Sequence, residues 1–593
     1  FCKPSRRTMS PARCWCRPAT GRAVVLRSPA AAPTSPAPAR SQSGASAGAA
    51  RRAGAFHDWV SSAPLDQGPA SAAHGQGPTS EVEEVGYITD LEGDLATLER
   101  CLDSGQSVLR RGQGGQLELA SDTSAFVFGG DLFDRGPGDL RLARALLDLK
   151  ARHPDRVVLL MGNRDINKMR LTAELDADYL TQGRPEAAFS AWWDPAAPKL
   201  AEYLSSRGLP DSRENRLRWM LKCTLGSGGA FEHRRQELRE LKLEGLAGAG
   251  DAEAVTDEEV ADSFLATVER EDGEVAAYLA NARIAAVFGD TLFVHGAAEE
   301  RALGFVPSLA TEYAAHSAGE VVSLPGAREG LPLREWVEAN NAFAAAAVAQ
   351  WRAEPRWSLP PDPAGDGGPR AAAGRRGGEA LLAYQCRPAI AAKTVVVTCY
   401  VDGKNMPGRR AIHEDLKEGL PKCSDPLSPS AAGYLRAGGV RRVVVGHKPN
   451  GEAPAVLRSR GDDGLGYEVI SADTNYASRS APSFRGRSWC EVRVRLPAGP
   501  SSPRSQSRLR GALADGRGAY DFDLPPLGEG SEVLAGTGDP LVGCQTADGW
   551  WVRVRLDGAG EEARYLLSRG EGRGAESRVV AAADVKLQQH SRL

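Results

Sequence analysis

The sequence predicts a layered α/β fold, and three observations carry that reading. Short apolar runs recur along the chain, segments with helical spacing lie between them, and motifs rich in Asp, Asn or His follow directly after the runs. An apolar run of a few residues is the form of a strand buried on both faces. Strands that alternate with helices at this pitch make βαβ units. In such sheets ligand-binding groups collect just beyond the carboxyl ends of the strands.

In chain order, Val85–Thr89, Ala125–Phe128 and Val157–Met161 are the first strands, and Leu95–Leu102 and Leu140–Lys150 are the helices between them. A charged, helix-leaning stretch runs from Leu171 to Asn281 and includes Arg234–Leu243. A further strand follows at Thr291–Val294. The alanine-rich run Ala342–Ala349 is read as a helix, and the Pro/Gly/Arg-rich segment Pro360–Gly378 as a flexible surface loop. Strand patterns resume at Thr394–Thr398, Val443–Val445, Tyr467–Ser471 and Glu491–Arg495. Beyond these, Trp550–Leu556 and Ala563–Leu567 alternate between turn residues, the pattern of a small all-β module in which Trp550 and Trp551 belong to the core.

The expected layout is a main domain over 81–496 with insertions at about 171–285 and 297–392, a linker over 497–518, and the β module over 519–590. A chain of 593 residues exceeds one ordinary core, which such a layout accommodates. Lys plus Arg (73) and Asp plus Glu (76) nearly cancel, so neither nucleic acid nor a membrane surface is expected as a partner. No apolar run approaches the roughly 20 residues that span a bilayer. The ten cysteines contain no C-x-x-C pair, which points to a reducing compartment rather than a disulfide framework or structural zinc. The first 57 residues contain no Asp or Glu but many Arg, Ser, Ala and Pro. That is the composition of a plastid or mitochondrial transit peptide. A disordered tail on a cytoplasmic protein is the alternative, and residues 1–80 are left out of the fold.

Five strand ends carry the chemistry. They read Thr89-Asp90-Leu91-Glu92-Gly93-Asp94, Gly129-Gly130-Asp131-Leu132-Phe133-Asp134-Arg135-Gly136, Gly162-Asn163-Arg164-Asp165, His295-Gly296 and Gly446-His447. In order and spacing the series resembles the calcineurin-like metallophosphoesterases, whose pattern is D-x-H, G-D-x-x-D-R-G, G-N-H-[DE], a strand-end His, then G-H. The resemblance covers roughly residues 85–496 apart from the insertions. It lies closer to the protein-phosphatase and dinucleoside-tetraphosphate-hydrolase branch than to nucleases.

The resemblance implies a β-sandwich flanked by helices and a phosphoesterase with two divalent metal ions. A pair of ions about 3.5–4 Å apart needs a shared anionic ligand, and Asp131 takes that place. Asp90 and Glu92, two apart on an extended strand end, would complete the first ion site. Asn163, His295 and His447 would complete the second. Arg135 offers a planar fork for phosphate oxygens, and Asp134 would orient it or a leaving-group proton. Arg164 and Asp165 complete the expected catalytic set. Asp473, at another strand end, is read equally as a supporting or a turn residue. Lys448, Lys393, Arg409 and Arg410 are read as solvated surface charge.

Two positions depart from the family. Glu92 stands where a metal-binding His is usual, making the first site all carboxylate, which favours Mn²⁺ or Mg²⁺ over Fe or Zn. Arg164 stands where relatives have the His that protonates the leaving group, and arginine cannot give up a proton there. It would bind phosphate instead. The expected substrate is a phosphate monoester or phosphoanhydride, on a small molecule or a phosphoprotein. The second reading is a catalytically weakened scaffold that keeps a residual metal site and recruits protein partners through its insertions and C-terminal β module.

Overall fold

The computed structural model describes residues 82–181, 194, 196–245, 254–310, 312–313, 321–323, 326–357, 376–385, 393–400, 427–449, 451–460, 466–478, 480–497, 505–527, 538–558, 560–569 and 576–588. The transit-like segment, Arg409, Arg410 and nearly all of the expected surface loop lie outside them.

Two large sheets are built from β1 (Glu84–Ile88), β2 (Ser124–Phe128), β3 (Val157–Leu160), β4 (Ala282–Arg283), β5 (Ala285–Phe288), β6 (Thr291–Val294), β7 (Arg442–Val445), β8 (Ala455–Arg460), β9 (Gly466–Ser471), β10 (Trp489–Arg495), β11 (Gln506–Ala512) and β12 (Ala519–Asp523). The seven-stranded sheet has the order β12-β11-β10-β1-β2-β3-β4, and the five-stranded sheet β8-β9-β7-β6-β5. Within the first, β1 to β4 run parallel and β10 to β12 add antiparallel strands along the other edge of β1. In the second, β6, β7 and β9 are parallel.

Side chains alternate across a strand, and the alternation separates two cores. Val85, Tyr87, Val127 and Leu160 of the first sheet pack with Phe288, Phe293, Val444 and Ile470 of the second. Tyr87 stacks on Phe293 with ring centroids 5.7 Å apart. Ile88, Phe126 and Phe128 face the other way, into a core shared with Leu98 of the helix Leu95–Asp103 and Leu142 and Leu146 of the helix Asp139–Arg152. The protein is therefore a β-sandwich flanked by helices, with a small all-β sheet towards the C-terminus. The long helix Leu333–Ala353 contains the alanine-rich run, as expected.

Three expectations are corrected. Residues 394–398 form no strand. Their carbonyls accept from the turn after β6 (Gly296 N to Val395 O, 2.7 Å; Ala297 N to Thr398 O, 2.9 Å). Thr394 and Thr398 also bond locally (Val396 N to Thr394 Oγ1, 3.1 Å; Thr398 Oγ1 to Thr394 O, 2.7 Å), which competes with a strand ladder. The segment 497–518 is not simply a linker, because β11 pairs along its whole length with β10. Its arginines disguised it: Arg508 meets Asp521 and Asp523, and Arg510 meets Glu491 at 3.1 Å. Likewise β12, expected in the small module, belongs to the large sheet.

The small sheet consists of β13 (Trp551–Arg555), β14 (Arg564–Arg569) and β15 (Glu576–Ala581). Trp550 and Trp551 are buried, as expected, and Trp550, Val552, Val554 and Leu567 join the core between the two large sheets. Arg553 latches the sheet in place, donating to the carbonyls of Pro454 (3.0 Å) and Ala453 (2.7 Å). Among the described residues, no helix is long and apolar enough to cross a membrane.

Candidate metal centre

The carboxyl ends of β1, β2, β3, β6 and β7 lie side by side, so the five motifs meet at one edge of the sandwich. Backbone bonds tie the turns together: Asp90 N donates to Gly130 O (2.9 Å), Glu92 N to Asp131 O (3.0 Å) and Gly446 N to His295 O (2.9 Å). Contacts across the sheets complete the join, with His447 N 3.0 Å from Asp90 Oδ2 and His295 Nδ1 2.7 Å from Gly129 O. Five non-glycine motif residues, Asp90, Glu92, Asp131, Asp134 and His447, have positive φ. Each such residue costs on the order of 1–3 kcal/mol, and strain of this kind concentrates where function demands a geometry. Gly162 has no alternative, since a Cβ there would lie 2.1 Å from Asp131 Oδ1.

Asp131, His295 and His447 offer ligand atoms that all lie within 4.8 Å of one another. Asn163 Oδ1 sits among them, 2.9 Å from His447 Nδ1 and 3.3 Å from His295 Nε2. Donation from His295 Nδ1 to Gly129 O fixes the tautomer that leaves Nε2 free as a ligand. Two imidazoles, a carboxylate and an amide oxygen suit a divalent transition metal. Burial disfavours a charged His295, yet Asp131 and Asp90 push its pKa up to about 10. Burial and the neighbouring His295 push His447 down to about 3. Asp131 stays well below the usual carboxylate range although burial opposes its charge, because His295 and Arg164 outweigh it.

The other expected ion site is arranged differently. Glu92 Oε1 lies 2.8 Å from Arg164 Nε and 3.4 Å from Arg135 Nε, and its Oε2 accepts from Asn475 Nδ2 at 2.5 Å. Both oxygens of this carboxylate are taken by protein donors. Asp90 is committed as well, accepting from Thr89 Oγ1 (2.5 Å) and from the backbone of His447. With the Arg164 guanidinium in place this donor set does not fit a first metal ion, so Asp90 and Glu92 do not stand as the open ligands their spacing suggests.

Asp134 is fully buried between Lys168 and Arg164, in ion pairs with both. Asp165 plays a structural part: its carboxylate accepts from the backbone of Asp131 (2.9 Å), Leu132 (2.9 Å) and Gly162 (2.8 Å). Burial and Asp131 nevertheless push its pKa up to about 7. Arg135 is held under Tyr476 and Phe484, 5.4 and 5.6 Å from the ring centroids, and its buried Nη1 has no hydrogen-bond partner among the described residues. Asp473 caps the turn after β9, accepting from Asn475 N at 2.9 Å, and burial with Glu92 nearby pushes its pKa up to about 6. Lys393 pairs with Glu329, consistent with a surface role.

Sequence reasoning missed Lys168, Asn475, Tyr476 and the loop Leu225–Ser227. The strand-end rule that found the five motifs applies equally to Asp473–Tyr476 after β9. Lys168 stands one helical turn beyond Arg164. The loop at Leu225 carries no signal in the sequence.

Residues 84–243 match the family described as calcineurin-like phosphoesterase, a span that includes three of the five motifs. The chain carries a calcineurin-like phosphoesterase domain. No curated protein matches the chain. Among solved structures, a cold-active protein tyrosine phosphatase is 13% identical, covering 75% of this chain and 79% of its own, at a TM-score of 0.33. A cold-active protein-tyrosine phosphatase from a psychrophilic Shewanella species is 13% identical over 74% of this chain and 80% of its own, at 0.30. A protein serine/threonine phosphatase from Saccharomyces cerevisiae, with similarity to human phosphatase PP5, is 11% identical over 76% and 82%, at 0.28.

Proposed function

We propose that the protein is a metal-dependent phosphoesterase acting on phosphate monoesters or phosphoanhydrides. The observation that carries this reading is the convergence of Asp131, Asn163, His295 and His447 on one point at the edge of the sandwich. These four residues would hold a divalent ion, Mn²⁺, Fe²⁺ or Zn²⁺, through the donor chemistry such ions prefer. When bound, the ion would supply Lewis-acid polarisation of a phosphoryl oxygen.

The remaining steps fall to the protein's own side chains. Arg135, with an unpartnered Nη1 and its guanidinium held against Tyr476 and Phe484, binds a second phosphoryl oxygen. Arg164 contributes fixed positive charge and no proton. Absence of a general acid costs on the order of 10²–10⁴ in rate, so the leaving group must depart without protonation. Good leaving groups, aryl phosphates and phosphoanhydrides, are the substrates this arrangement favours. The phosphorylated group is carried by a small molecule or a phosphoprotein. A protein partner would meet the C-terminal sheet.

The test is hydrolysis of p-nitrophenyl phosphate against an alkyl phosphate, with chelator and then with added Mn²⁺. Turnover should appear only with metal and should favour the aryl ester by at least about 10²-fold, the low end of a missing general acid. Equal turnover in chelator would exclude the reading.

A further inference from the structure

We propose that the guanidinium of Arg164 permanently takes the place of the first metal ion, so that the centre holds a single divalent ion on Asp131, Asn163, His295 and His447. The inference rests on the metal-dependent reading above and concerns how many ions that reading requires.

Glu92 and Asp131 are the carboxylates between which a first ion would sit. Arg164 Nε lies between them instead, 2.8 Å from Glu92 Oε1 and 3.4 Å from Asp131 Oδ2. The same guanidinium reaches Asp134 Oδ2 at 3.4 Å through Nη1. One delocalised cation thus links three buried carboxylates, with Arg135 beside Glu92 and Lys168 beside Asp134 completing the compensation, the linking task a metal would otherwise perform. An unpaired cluster of this kind would be strongly disfavoured by like-charge repulsion.

The guanidinium is built in at its far end. Nη1 also lies 3.2 Å from Gly226 O and 3.3 Å from Ser227 Oγ, on the loop that the helical insertion delivers to the site. At its near end, the Arg164 backbone N–H donates to Asp131 Oδ1 at 2.9 Å. A side chain held through both Nε and Nη1, with only 13% of its surface exposed, cannot swing aside to admit an ion without uncovering the carboxylates it neutralises.

Asp131 then serves both cations. Its Oδ2 faces Arg164, while Oδ1 faces His295 Nε2 at 3.5 Å. The shared carboxylate that would bridge two metals here bridges one metal site and one guanidinium. The unusual pair, Glu92 and Arg164, forms a single substitution of an ion pair for a metal, in which neither change makes sense alone.

The experiment is equilibrium dialysis of the chelator-stripped full chain against Mn²⁺, read together with the electron paramagnetic resonance of the bound ion. The wild type should bind one Mn²⁺ per chain and give the six-line spectrum of an isolated ion. Arg164→Ala should bind a second Mn²⁺ and give an exchange-coupled spectrum, because the two ions would lie about 3.5–4 Å apart. Two coupled ions in the wild type would overturn the inference, a result that needs no variant to fold. One ion in a folded Arg164→Ala would overturn it as well. If the wild type binds no Mn²⁺ at all, the metal-dependent reading itself is at fault.

Discussion

Gly446 leaves no room for a side chain beside Asp90: a Cβ on Gly446 would lie 2.2 Å from Asp90 Oδ2. Asp90 in turn accepts from the backbone N–H of His447, so the position of the imidazole proposed to hold metal depends on that carboxylate. Gly446→Ala should displace Asp90 and loosen His447, lowering Mn²⁺ affinity by about 10–100-fold, the scale of lost supporting contacts at metal sites. Isothermal titration of the variant checks this, and unchanged affinity would detach Asp90 from the site.

Asp165 holds three backbone donors from two different strand ends. Asp165→Ala would leave them buried without an acceptor, at a cost of about 1–3 kcal/mol for each unsatisfied group. Urea unfolding should show a loss of about 3 kcal/mol or more. A variant with full stability and no turnover would return Asp165 to the chemistry.

Arg553 anchors the small sheet to Ala453 and Pro454 and to Ser568 within it (3.0 Å). Burial lowers its pKa to about 10, so it remains charged and paired at neutral pH. Arg553→Met should cost several kcal/mol, since it strands several buried acceptors at about 1–3 kcal/mol each. Because the sheet shares the core between the large sheets, it should unfold together with them in the wild type. A separate early transition in calorimetry would contradict that.

Lys150 Nζ donates to the carbonyls of Pro154 (2.7 Å) and Val157 (2.9 Å), tying the end of its helix to the start of β3. Burial, with Arg283 nearby, lowers its pKa from 10.5 to about 8. Between these values the unfolded chain binds more protons than the folded one, so this residue makes stability rise with pH from about 8 to 10.5. Below that window its cost is fully present. In Lys150→Met the rise should flatten when unfolding is followed across the window.

Much of this arrangement was legible in the sequence. The central strands β1, β2, β3, β6, β7 and β9 are buried on both faces and stand out as apolar runs, and the motif residues fall at their ends because the chain must turn there. β11 was illegible because it lies towards an edge, where Arg508 and Arg510 are balanced by acids on neighbouring strands. Residues 394–398 have the composition of a strand, but their two threonines bond the local backbone instead. Glu92 is the instructive case. Its charge and spacing match those of a metal ligand, and only the fold reveals that two arginines from other motifs reach it first. The same blindness applies to Asp165, whose role is set by backbone amides that no pattern of side chains announces.

An ion on Asp131, Asn163, His295 and His447 is proposed to drive phosphate-ester hydrolysis. The most direct measurement follows Mn²⁺ binding and p-nitrophenyl phosphate turnover in one titration of metal-stripped protein. The two curves should share a midpoint in the wild type, and both should vanish in Asp131→Asn while its unfolding transition is retained. Turnover that is complete before metal binds, or that survives in Asp131→Asn, would rule out an ion at these four residues as the driver of hydrolysis.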